Sequence, residues 1–138
     1  MSAGLVTFLL GSREYATPLS SIREVVRLEG LADLPGMTPP LAGVLDLRGI
    51  ALPVLDLRLG DPSARGDVLV MDSGEDAMIG VAVDRVRAVV EAEELEAAGG
   101  ANEELPSYVL EVLRSRHGAV FLVDLPAMVA SARKEAAL

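Results

Sequence analysis

The chain has 138 residues, a formal net charge of −9 at pH 7 and no cysteine, and aromatic side chains make up only 3% of it. This length suits one domain with an aliphatic core. Its 12 basic residues form no run among 21 acidic ones, which excludes binding driven by neutralisation of nucleic-acid phosphates. The absence of cysteine excludes disulfides, iron–sulfur clusters and thiol catalysis.

The opening segment, MSAGLVTFLL, has neither the basic start nor the cleavage site of a secretory signal. No apolar run approaches the ~20 residues that cross a bilayer. We therefore expect a cytoplasmic protein without direct membrane insertion.

The first half of the chain has the apolar runs and polar turns that are typical of strands. Residues 5–19 (LVTFLLGSREYATPL) place two apolar runs around a polar turn, which predicts a hairpin. A connector at 21–31 and a Gly- and Pro-rich stretch, 32–43, lead to a strand pair, VLDLRGIALPVLDL. Pro53 cannot donate to a sheet ladder, so its strand is expected to lie at an edge or to bulge there.

The second half follows the same plan after a linker at 60–67. A hairpin at 68–83 turns through Ser-Gly-Glu-Asp, RVRAVVEAEEL (85–95) matches SIREVVRLEGL (21–31), and a Gly-rich stretch at 97–107 precedes VLEVLRSRHGAVFLVDL. The tail, 126–138, predicts a short helix. The offset between the halves grows from 64 to 68 residues, which we attribute to a longer turn through residues 115–118. One domain, 1–138, with halves 5–59 and 68–128 sharing an apolar interface, gives an internally duplicated all-β architecture.

Catalytic and metal-binding patterns are weak. His117 has no second histidine or cysteine with which to complete a zinc shell, and it suits a turn. No phosphate-binding or dinucleotide fingerprint and no calcium loop is present, so no cofactor or metal is expected. Asp46, Asp56 and Asp124 recur near strand ends, which leaves carboxylate catalysis as a remote alternative to the solubilisation of strand edges and hydrogen bonding to turns.

Two arginines stand in the repeated phrase Asp-Leu-Arg. When the halves are aligned, Arg48 falls opposite Leu113 and Glu24 falls opposite Ala88. Because breaking an ion pair costs more than replacing both members, this joint loss predicts that Glu24 and Arg48 face each other. The alternative is that both positions only pack. Arg58 is expected to be a solvated edge residue or, less favoured, a contact with a docking partner.

Three segments, LVTFLLGSREYATPLSSIREVV, LPGMTPPLAGVLDLRGIALPVLDLR and MIGVAVDRVRAVV, resemble successive signatures of the CheW-like family of chemosensory coupling proteins. The resemblance covers residues 5–128. It implies an all-β fold of two packed five-stranded SH3-like β-barrels with short helical connectors and a C-terminal helix. It also implies a non-enzymatic adaptor between methyl-accepting chemoreceptors and a CheA-type histidine kinase, and we expect a monomer when free.

Carried onto this chain, the resemblance implies a receptor-binding groove framed by Ile22, Gly43, Arg48 and Val89, in which Glu24 holds Arg48. The barrel ends would dock against the regulatory domain of the kinase. Asp46 departs from the family pattern, where asparagine is common, and adds a negative charge beside Arg48. An alternative is therefore a divergent paralogue that binds one partner only, in a pathway controlling gliding, pili or gene expression.

Overall fold

The computed structural model describes residues 4–74, 77–99 and 104–136. Within these ranges the chain forms strands, two 3₁₀ turns (Leu19–Ser21 and Ala92–Glu94) and one α-helix. The strands are β1 (Gly4–Leu10), β2 (Arg13–Pro18), β3 (Glu24–Arg27), β4 (Leu41–Leu47), β5 (Ile50–Asp56), β6 (Asp67–Gly74), β7 (Ala77–Val83), β8 (Arg85–Glu91), β9 (Glu96–Ala97), β10 (Val109–Ser115) and β11 (Gly118–Val123), and the helix is α1 (Leu125–Ala136).

The strands form two curled sheets. The five-stranded sheet has the order β3-β6-β7-β5-β4, and the six-stranded sheet has the order β8-β1-β2-β11-β10-β9. The sixth strand is the two-residue β9, which pairs only with Leu113 and Arg114. The predicted fold class, all-β with short helical connectors and a C-terminal helix, is confirmed.

The core lies inside each sheet and between the two. One cluster joins both sheets to α1 and includes Val6, Leu69 and Leu125. Leu5, which precedes Val6, belongs instead to a cluster inside the six-stranded sheet. Successive side chains of a strand point to opposite faces, so β1 is buried on both. This is why β1 reads as a continuous apolar run rather than an alternating one.

The two sheets exchange hairpins. The β1–β2 hairpin pairs with β8 and β11 in the six-stranded sheet, while the β6–β7 hairpin pairs with β3 and β5 in the five-stranded sheet. Both exchanges use one parallel strand pair, β2 with β11 and β5 with β7. Each sheet therefore contains strands from both repeat halves, and the boundaries 5–59 and 68–128 remain a prediction about the sequence repeat.

The two strand pairs of the repeat have turns of equal length, so the predicted longer turn in the second half is wrong. The pair Leu47 and Ile50 closes the β4–β5 turn, and Ser115 and Gly118 close the β10–β11 turn in the same register. The additional residues of the second half lie before β10 instead. The counterpart of Arg48 is consequently Arg116, and the earlier alignment of Arg48 with Leu113 is corrected.

Pro53 lies where β5 has a strand partner on one side only. It faces Val44 of β4, and the pairing of β5 with β7 begins at Val54. Within the described ranges, no helix is long and apolar enough to cross a membrane. Residues 75 and 76 of the predicted second hairpin turn, and 100–103 of the stretch 97–107, lie outside the described residues.

Candidate functional site

The β4–β5 turn holds Arg48 in an uncommon backbone conformation. Arg48 and Gly49 have φ angles of 50° and 87°. A two-residue hairpin turn of this type needs positive φ at both central residues, and glycine adopts it far more easily than arginine does. Asp46 Oδ1 accepts a hydrogen bond from the Gly49 N–H at 2.7 Å, which stabilises the turn. An asparagine oxygen could accept the same bond.

The structure brings Glu24 and Arg48 together. Arg48 Nη2 lies 2.8 Å from Glu24 Oε1 and 3.0 Å from Oε2. Glu24 begins β3 and Arg48 follows β4, and these two strands are the edge strands of the five-stranded sheet. The ion pair therefore spans the seam, the gap between the edge strands of this curled sheet. Because the Arg48 side chain is 70% exposed, the pair orients the guanidinium more than it stabilises the fold.

Two of the expected groove residues, Ile22 and Val89, lie beside Leu19. The Ile22 N–H donates to the Leu19 carbonyl at 3.0 Å, and Ile22 packs on the core shared by the two sheets. Side-chain atoms of Leu19 and Val89 both lie within 4.0 Å of where a Cβ on Gly4 would stand. Leu19 is 43% exposed and Val89 62%. Leu19 and Val89 are exposed, and with the half-buried Ile22 they form an apolar patch. Sequence reasoning missed Leu19 because it ends the apolar run of the predicted hairpin.

Gly43 does not join this patch. It is buried near the start of β4, about 16 Å along the strand from Arg48. A Cβ there would lie 2.5 Å from the Ala32 carbonyl oxygen and 2.7 Å from Leu31 Cγ. Glycine at this position allows the backbone of Ala32 to form its bridge with Val44, with two hydrogen bonds of 2.9 Å.

Arg58 is buried, so its expected place at a solvated edge is wrong. Its side chain is 2% exposed and forms an ion pair with Asp56 at 2.9 Å. The guanidinium also donates to carbonyls of the linker, and all five of its N–H groups have an acceptor. Those carbonyls belong to Pro62, Ala64 and Arg65. The side-chain hydrogen bond with Asp56 raises the pKa of Arg58, and it outweighs the opposing effect of burial.

The three carboxylates considered for catalysis each serve local structure. Asp46 accepts from Gly49, Asp56 accepts from the Arg58 backbone and side chain, and Asp124 Oδ1 accepts from the Ala127 N–H at 3.1 Å, at the start of α1. In the part of the chain that the structure describes, no group of three or more acidic or histidine side chains could hold a metal ion.

The model of the CheW-like domain family matches residues 4–133. The chain belongs to the CheW-like domain family. A protein of Rhizobium etli named probable chemotaxis protein CheW is 33% identical over 88 residues, which cover 59% of this chain and 56% of that protein. The chemotaxis protein CheW of Bacillus subtilis is 32% identical over 54 residues, 39% of this chain and 35% of that one. The chain thus spans only about a third to just over half of these relatives.

A longer alignment joins the chain to another CheW-like protein, the chemotaxis protein CheW of Rhizobium meliloti. It is 25% identical over 142 residues and covers 96% of this chain and 91% of that protein. Among solved structures, the scaffolding protein TtCheW from Thermoanaerobacter tengcongensis has a TM-score of 0.70 at 19% identity. That similarity covers 91% of this chain and 86% of the other, and it establishes a shared fold.

Proposed function

We propose that this protein is a cytoplasmic, non-enzymatic adaptor that couples chemoreceptors to a CheA-type histidine kinase. The observation that carries the proposal is the oriented Arg48 guanidinium, held by Glu24, which closely follows Leu19 and Ile22 of the apolar patch. Membership of the CheW-like family supports the class of partners.

The receptor would present a helix to the patch of Leu19, Ile22 and Val89. An amphipathic helix binds such a surface through apolar side chains spaced three and four residues apart. Arg48 would then fix the register of the helix, because a guanidinium forms directional hydrogen bonds with carboxylates and carbonyls. Gly43 would contribute indirectly, by letting the connection through Leu31 and Ala32 pack on β4.

Reconstitution tests this function. The kinase is assayed with receptor-containing membranes in the presence and absence of the protein, and we expect receptor control of kinase activity to depend on it. Glu24→Arg and Arg48→Glu should each weaken that control, and the double swap should partly restore it, since the ion pair is rebuilt in reverse. The control is Arg114→Glu, which breaks an exposed pair with Glu96 elsewhere. Additive losses in the double swap would refute the pairing role.

The second candidate is a paralogue that binds only one of the two partners. Asp46 favours it, because its negative charge lies two residues from Arg48 and could disfavour an acidic receptor surface. A pull-down with kinase and receptor fragments separates the candidates. A coupling adaptor retains both, whereas a single-partner protein retains one.

A further inference from the structure

In the five-stranded sheet, Glu24 pairs with Arg48 across the seam. The six-stranded sheet has no acid at the matching position. Arg116 occupies the turn position of Arg48, because Ser115 pairs with Gly118 as Leu47 pairs with Ile50. The position of Glu24 is taken by Ala88, which lies opposite Thr7 on β1 as Glu24 lies opposite Val70 on β6. The second half of the repeat has therefore kept the arginine and lost its carboxylate.

A cavity of about 540 Å³ lies at this seam. Its lining reaches from β8, one edge strand of the sheet, to the turn after β10, the neighbour of the other edge strand, β9. Its lining includes Thr7, Glu14, Arg87, Ala88, Arg116 and His117. A smaller cavity of about 250 Å³ shares Glu14, Arg87 and His117 with it and adds Arg13.

Among the described residues, some charged side chains of the cavity have an ion-pair partner and others do not. Glu14, whose side chain is 14% exposed, pairs with Arg87 at 3.6 Å, so these two charges offset each other. Glu94 also lines the cavity, and its Oε2 accepts the backbone N–H of Glu91 at 3.3 Å. Within the described ranges, the Arg116 side chain and the His117 ring have no hydrogen bond or ion pair. The cavity thus offers side-chain N–H donors of Arg116 and His117 that have no acceptor.

A β-bulge supports a built site here. The register of β1 with β8 shifts between Thr7 and Phe8, which face Ala88 and Val86, so Arg87 is the extra residue. The ladder of β3 with β6 begins at Glu24 and Val70, the counterparts of Ala88 and Thr7, so it does not extend to the position of this bulge. Bulges re-aim a side chain, and this one accompanies the Arg87 contact with Glu14 at the cavity wall.

We infer that this seam is a binding site for a small oxyanion, a phosphate or a carboxylate, which takes the place that Glu24 has in the other seam. Arg116 and His117 donate to the oxyanion. An arginine fork suits two oxygens of one group, and such charge-assisted bonds are stronger than neutral ones. The site is on the six-stranded sheet and remote in sequence from Arg48, so its failure leaves the proposed adaptor function untouched.

His117 is the chain's one histidine, so its ring gives unambiguous proton NMR signals. The intact protein is titrated at fixed pH with inorganic phosphate and, separately, with acetate, against sodium chloride at equal ionic strength. We expect a saturable shift of the His117 signals in the millimolar range, and about tenfold weaker binding in Arg116→Ala. Arg114→Ala, in the same hairpin but outside the cavity, should bind as the parent does. A response to phosphate alone assigns a free phosphate-like anion, and a response to acetate assigns a carboxylate.

The second variant, Ala88→Glu, restores the acid of the repeat. Its carboxylate should engage Arg116 within the chain and abolish the oxyanion response while the protein stays folded. The proposal is overturned if sodium chloride produces the same shift, if neither anion gives a saturable response, or if Arg116→Ala binds as tightly as the parent.

Discussion

Arg48 and Arg58 end two copies of one phrase, Asp-Leu-Arg, and the fold uses them in opposite ways. Arg48 is 70% exposed, in a turn with positive φ, and it contacts an acid 24 residues earlier in the chain. Arg58 is 2% exposed and contacts the acid of its own phrase, Asp56, together with the linker that follows. The same tripeptide therefore ends in an exposed arginine in one case and, in the other, in a buried arginine that is hydrogen-bonded to the linker.

The difference follows from what surrounds each strand end. After β4 the chain turns back in two residues, which leaves Arg48 at the tip of a hairpin. After β5 the chain enters the linker, which folds back so that three of its carbonyls accept hydrogen bonds from Arg58. A buried ion pair that is fully hydrogen-bonded is costly to break, whereas an exposed one contributes little to stability.

Arg58→Ala is expected to have the largest effect. It removes the two side-chain donors of the Asp56 carboxylate and the donors of three linker carbonyls, and we expect a loss of about 3 to 5 kcal/mol in the free energy of unfolding. Chemical denaturation measures it. Arg48→Ala is the matched control and should lose less than about 1 kcal/mol. Equal losses in the two variants would contradict the contrast between these arginines.

Gly66→Ala tests whether the linker packs on Arg58. A Cβ at Gly66 would lie 2.9 Å from Arg58 Nη1 and 2.7 Å from the Val83 carbonyl oxygen. We expect a destabilisation of about 1 to 3 kcal/mol, because the crowding displaces the linker from Arg58. Gly60→Ala, in the same linker but with no atom within 4 Å of its Cβ position, should change stability by less than about 0.5 kcal/mol. Similar effects at both glycines would mean that the linker does not pack on Arg58.

Arg48→Gly separates the role of the Arg48 side chain in receptor binding from its contribution to the stability of the fold. Glycine relieves the positive φ of the turn, an effect that offsets the lost ion pair, so stability should stay within about 1 kcal/mol of the parent. Receptor-dependent control of the kinase should nevertheless fall as it does in Arg48→Glu. A stable variant with full coupling would remove Arg48 from the proposed receptor site.

The smallest effect concerns Asp61 in the linker. Hydrogen bonds from the Ser63 backbone N–H and then from its hydroxyl lower the pKa of the Asp61 carboxyl, and the charge of Arg58 adds to them. A carboxyl with a lowered folded-state pKa stabilises the fold above its unfolded pKa of about 3.9, and this contribution is lost as pH falls through the folded value. Ser63→Ala should raise the pKa of Asp61 towards its ordinary value in an NMR titration. An unchanged pKa would show that the serine hydroxyl does not act on it.

Sequence reasoning reached the Glu24 and Arg48 contact by an alignment that the structure corrects. Only the acid is missing from the second half, because Arg116 is the true counterpart of Arg48. The error arose because the additional residues were assigned to a turn, where loop length is easily varied, instead of to the connection before β10. Arg58 was misplaced because a strand-end arginine is usually solvated, and the acceptors in its linker become visible only when the chain folds back.

The sequence by itself determined the all-β class, the internal repeat, the place of the β4–β5 hairpin and the family, because these depend on local alternation, turn residues and motif spacing. Only the tertiary structure decided which hairpin joins which sheet, since exchanged and unexchanged pairings bury the same apolar runs. It also decided which arginine is exposed and which is buried, and that Arg116 in the six-stranded sheet has Ala88 where Arg48 has Glu24. These outcomes depend on acceptors and edges that are distant in sequence, which no local pattern encodes.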